Sequence, residues 1–133
     1  MSKVKTATDL LFVIEDFRTH AKKMRWDDPE VALGNCDTAA SSFTNFASNA
    51  RVRTKTYDLS DELDIAALAV LLGMEQETLK ERIAEAEVEG PGCNFHQVSV
   101  VTLDDGSEVT IDWTARQFAP TLPFPIILLK EKP

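Results

Sequence analysis

The sequence is poor in the residues that usually announce a chemistry. It carries two cysteines and two histidines in 133 residues. Two thiols make no disulfide framework of the kind that staples small secreted domains. One short pair, Cys93-x-x-His96, together with Cys36 and Asp112, is the only set that suggests zinc. Long apolar runs are missing as well. A bilayer-spanning helix needs about 20 apolar residues. The N-terminal candidate for a secretory segment is interrupted by Glu15, Asp16 and Arg18. A cytoplasmic location, with both cysteines kept as thiols, is the expectation. Positive charge is scarce: 14 Lys and Arg face 22 Asp and Glu, for a net charge of −8. Such a field repels a phosphate backbone and an anionic bilayer alike, so neither nucleic acid nor membrane is expected as a partner. The one basic run, Arg51, Arg53 and Lys55, alternates, which on a strand places it on a single solvated face. Repeats and low-complexity segments are absent.

What remains is ordinary for a globular chain, 44% hydrophobic and 27% charged, and its length fits one domain over 1–133. Leu10, Ile14, Phe17, Ala21 and Met24 recur at helical spacing and predict a helix over about 8–25, capped by Thr8. Pro29 breaks it. A second helix is expected over 36–49, with Phe43 and Phe46 as a core stripe. Val52 to Tyr57 alternates as an exposed strand does. Ser60, Asp61 and Glu62 start a helix–Gly73–helix unit over 61–72 and 75–88. A hairpin over 95–113 turns at Asp104-Asp105-Gly106. A proline-rich C-terminal arm, 119–133, ends in the apolar run Ile126 to Leu129, read as a closing strand. Helices first and strands last predict an α+β fold, a helical N-terminal half packed on a small antiparallel sheet.

Within this frame one constellation carries chemistry. A thiol nucleophile needs a lowered pKa, a nearby base and a group that orients the base. Cys36 follows Gly34 and Asn35 and opens a predicted helix, whose N-terminal charge and N–H groups favour a thiolate and a developing oxyanion. Gly34 allows the tight turn before it. His96 opens one hairpin strand and Asp112 ends the other. Register decides whether they meet. A two-residue turn pairs Ser99 with Asp112 and sets His96 and Asp112 on opposite faces. A three-residue loop ending in a left-handed glycine pairs Val98 with Asp112 and makes His96 its diagonal neighbour, roughly 7–8 Å away. Hydrophobic patterning favours the former, since it collects Val98, Val100, Val109, Ile111 and Trp113 on one face. The triad requires the latter, or a bulge.

The order of a cysteine at a helix start, a histidine at a strand start and an aspartate at the end of the next strand resembles the papain- and transglutaminase-like thiol enzymes. His96-Gln97-Val98-Ser99-Val100 through Val109-Thr110-Ile111-Asp112-Trp113 is similar to the transglutaminase core pattern. The ending Asp112-Trp113-Thr114-Ala115-Arg116-Gln117-Phe118 also resembles small proteins of actinobacteria and their phages. The resemblance spans about Gly34 to Phe118. It implies a papain-like core and a cysteine hydrolase or acyltransferase (protease, amidase, deamidase or transglutaminase) acting on a protein or peptide. It implies no cofactor and no metal. The catalytic residues it implies are Cys36, His96 and Asp112. The papain-type glutamine that supplies an oxyanion donor is absent, and Glu30 sits near its place. Asn35 and Gln117 are the substitute candidates, and Trp113 is a candidate shield for the His–Asp pair.

Other readings stand beside this one. Cys36 and Cys93 could pair as a disulfide. The protein could be a catalytically silent, phage- or toxin-like binding module acting on a host protein. Residues 61–88 have the rhythm of a helix-turn-helix, although the acidic second helix would face phosphates unfavourably. His20 reads as a surface histidine.

Overall fold

The structure is a computed structural model that describes residues 6–47, 51–89 and 95–131, with 86–89 described as backbone only. Its elements run α1 (Ala7–Lys23), α2 (Pro29–Ala32), α3 (Cys36–Phe46), β1 (Arg51–Asp58), α4 (Glu62–Leu72), α5 (Gln76–Glu89), β2 (Phe95–Thr102), β3 (Glu108–Asp112), a 3-10 turn (Ala115–Gln117) and β4 (Ile126–Lys130). The architecture is α+β. Among the described residues no helix is long and apolar enough to cross a membrane.

The helices start where side chains satisfy free N–H groups. Thr6, not Thr8, caps α1, because Asp9 stands three residues on and returns the hydrogen bond as a capping box. Asp61, rather than Ser60, caps α4 by accepting from Leu63 and Asp64, while Ser60 turns back onto Asp58. Pro29 does more than end a helix: with Asp28 as cap it occupies the first position of the short α2, a place where the missing N–H costs nothing. Sequence periodicity did not reveal α2, whose four residues are too few to show a period. The predicted extension of α3 to 49 reaches residues outside those described.

The four strands form an antiparallel sheet in the order β1-β2-β3-β4. Helices cover both of its faces. Val101, Val109 and Ile111 pack against Leu10, Ile14, Phe17 and Phe43 of α1 and α3. Tyr57, Val98, Val100 and Ile126 pack against Leu68, Leu72, Leu79 and Ile83 of α4 and α5. The α4–α5 hairpin thus spends its apolar side on the core. Met24 and Phe46, expected in the core, are 44% and 41% exposed, because each lies at a helix end where the stripe has left the sheet. In β4 only Ile126 of the apolar run is buried, as an edge strand allows.

The hairpin adopts the three-residue register. Thr102 faces Glu108 and Ser99 faces Ile111, and Leu103 and Ser107 close a loop over Asp104-Asp105-Gly106. The apolar-face argument fails here for a physical reason. From Val98 to Val101 every residue of β2 is buried, so the strand has no solvent face to set its register. Val98 and Val100 look toward α4 and α5, while Val109, Ile111 and Trp113 look toward α1 and α3. The turn decides. Gly106 has φ +89°, the left-handed residue this loop requires, and Asp105 accepts from the Ser107 amide. Gly106→Ala is therefore expected to cost about 1–2 kcal/mol in urea unfolding. A variant as stable as the parent would show that the loop is not what holds the register.

Candidate active site

Cys36 is brought to the sheet by the packing of its helix. Gly34 takes φ +85° and redirects the chain from α2 into α3, whose first residue is Cys36. Ala39, Ala40 and Phe43 bury the inner side of α3. Ser99 in the middle of β2 donates from Oγ to the Ala40 carbonyl at 3.0 Å, and its Oγ lies 3.2 Å from Thr44 Oγ1. These polar contacts set the helix along the strand, so that its N-terminus reaches the start of β2. There the Cys36 thiol donates to the Phe95 carbonyl at 3.9 Å, one residue before His96.

His96 and Asp112 share a face because the three-residue register makes them diagonal neighbours. Nε2 of the imidazole lies 2.7 Å from Asp112 Oδ2. The other carboxylate oxygen accepts from the Thr114 amide at 3.0 Å and from its hydroxyl at 3.5 Å. An aspartate two residues before its own donor is a common turn device, so Thr114 was readable as the group that orients Asp112. Cys36, His96 and Asp112 are 1%, 0% and 1% exposed. Burial alone lowers the pKa of the imidazole. The Asp112 carboxylate, through charge and hydrogen bond, and Cys36 after it, outweigh burial and push His96 up to about 9. Tyr57 lies opposite His96 on β1. Burial, then the charges of Asp112 and Asp64, raise the pKa of its phenol.

The remaining candidates separate. Asn35 Nδ2 donates to the Val31 carbonyl at 2.6 Å and the side chain makes no cap bond to α3, so its amide is turned back toward α2 and away from an oxyanion role. Trp113 is buried on the opposite face, in tilted ring contact with Phe17 and Phe43 and edge-on to Phe124. Adjacent residues in a strand point opposite ways, and Trp113 cannot shield a pair that includes Asp112. The shield is Phe118, edge-on to the imidazole at 4.9 Å, which closes the Asp112-to-Phe118 ending but had no role assigned by it. Gln117 does reach the site: its Nε2 lies 3.2 Å from His96 Nδ1. Glu30 is exposed at the start of α2. His20 is exposed, as expected, and contacts the rings of Phe17 and Trp26.

Cys93 lies outside the described residues, and with it the zinc and disulfide readings. Among the described residues no three His, Cys, Asp or Glu side chains are grouped to hold a metal ion, and Cys36 is a free thiol. Comparison with family models, with curated proteins and with solved structures finds no match to this chain. A functional reading therefore rests on the geometry of its own residues: a thiol at a helix start, an imidazole beside it, and a doubly held carboxylate behind the imidazole.

Proposed function

We propose that this protein is a thiol-dependent acyl-transfer enzyme with a papain- or transglutaminase-like core, acting on an amide or ester of a protein or peptide. The observation that carries the reading is the buried His96–Asp112 pair at 2.7 Å, with a cysteine that opens a helix meeting the carbonyl of Phe95, the residue before His96. In the proposed reaction His96 in its neutral form, the minor one at pH 7, takes the Cys36 proton at Nδ1, and the sulfur attacks the substrate carbonyl carbon. The carbonyl electron pair moves to oxygen, where N–H groups at the start of α3 meet it. Collapse expels the amine or alcohol, which takes the proton from His96. Water, or an acceptor amine, then cleaves the thioester and regenerates the thiol. Asp112 orients the imidazole and stabilises its charged form.

Burial favours a second reading. With Cys36 and His96 at 1% and 0% exposure, the same constellation could serve as a packed polar cluster in a binding module that acts by docking on another protein. Alkylation with iodoacetamide at neutral pH, with adducts mapped by mass spectrometry, separates the two. The enzyme predicts selective modification of Cys36 over Cys93, slowed on the order of 10²-fold or more in His96→Gln, the scale of a lost general base. Equal, slow modification of both thiols would sink the enzyme and leave the binding module.

A further inference from the structure

Four residues around the imidazole close a ring of hydrogen bonds. His96 Nε2 meets Asp112 Oδ2, Asp112 Oδ1 accepts from the Thr114 amide, the Thr114 carbonyl accepts from Gln117 Nε2 at 3.1 Å, and the same Nε2 lies 3.2 Å from His96 Nδ1. A primary amide nitrogen offers two hydrogens and accepts none. The Thr114 carbonyl can only accept, which orients the Gln117 amide with its nitrogen inward. Its second hydrogen has Nδ1 at 3.2 Å as the nearer acceptor and the Thr114 hydroxyl at 3.4 Å as the farther, and Nδ1 can receive it only when unprotonated. The ring proton of a neutral His96 accordingly sits on Nε2, against Asp112.

We propose that Gln117 is a positioning residue that holds His96 in the tautomer with an unprotonated Nδ1, and so regulates when that nitrogen can take the Cys36 proton. The inference rests on the reading of His96 as the base. Gln117 opposes the groups that favour the imidazolium. Asp112 on β3 and the Cys36 thiol on α3 pull toward the charged ring, Tyr57 faces it from β1, and Phe118 covers its edge without a charge. Beyond the amide, Glu30, Arg82, Glu85 and Arg116 line with Gln117 a cleft of about 230 Å³. Gln117, together with Phe118, thus stands between this cleft and the base.

The test is 15N NMR of the imidazoles across a pH titration. The chain has two histidines, and exposed His20 is the internal reference. In the parent protein above the His96 midpoint, Nδ1 is expected to resonate as unprotonated and Nε2 as protonated. Gln117→Met removes the donor and is expected to raise the His96 midpoint by about half to one unit, the size one hydrogen bond supplies. Gln117→Glu replaces the donor by an acceptor and is expected to raise it further, with His20 unmoved. A protonated Nδ1 in the parent above the midpoint overturns the proposal without any variant having to fold. Midpoints unmoved or lowered in both variants overturn it too. Neither readout needs turnover. The expected shifts in a protein that alkylates slowly would retain the tautomer assignment and remove the enzyme, and the reverse pattern would do the opposite.

Discussion

Asp112→Ala is expected to lose about 3–5 kcal/mol of unfolding free energy, the cost of leaving one partner of a buried pair alone. The carboxylate is 1% exposed and serves both Nε2 of His96 and the Thr114 amide, so its removal strands two buried donors. A domain of this size holds about 5–15 kcal/mol in all, and the variant should sit near the edge of folding at 37 °C. Asp112→Asn keeps one acceptor and is expected to cost less. The double variant His96→Leu, Asp112→Leu removes the stranded imidazole as well, leaving only the Thr114 amide without its acceptor, and is expected to be more stable than Asp112→Ala. Urea titration of the set checks this. A loss below about 1 kcal/mol in Asp112→Ala would mean that the pair is solvated.

The same pair should make stability fall with rising pH. His96 moves from 6.5 to about 9 on folding, so the native state holds a proton that the unfolded chain has released. Its contribution is complete below about pH 6.5 and is lost as pH rises through about 9. At about 1.4 kcal/mol per unit this amounts to at most about 3.5 kcal/mol. His96→Gln is expected to flatten the decline, leaving a curve with little slope between pH 6.5 and 9. If the parent protein gains stability over that interval, or if the variant keeps the full slope, His96 is not the group responsible.

Much of the candidate site could be read from residues, for reasons that are local. Gly34 before Cys36 and the apolar spacing after it mark a turn into a helix whatever the helix packs on. Asp104-Asp105-Gly106 marks a turn because only glycine takes φ +89° without cost. The α+β class follows from the same short-range periodicities, and so do α4 and α5 on either side of Gly73. The α2 helix escaped because its evidence is a cap and a proline rather than a period.

Neighbours distant in the chain decided the rest. Register is the clearest case: β2 looked one-sided, yet helices from both halves of the chain bury it on both faces, and a strand without a solvent face leaves its register to the turn. Trp113 and Phe118 exchanged roles for a related reason. A motif adjacent in sequence points across the sheet, and the residue that covers His96 comes from the turn beyond. Asn35 and Gln117 looked alike as amide donors, and their partners Val31 and His96 separate them. Sequence alone determined which residues are candidates for the proposed chemistry, because a thiol, an imidazole and a carboxylate are properties of side chains. The tertiary structure alone decided which of them meet, because 2.7 Å between residues sixteen apart depends on a register that two packed helical layers allow and one loop enforces.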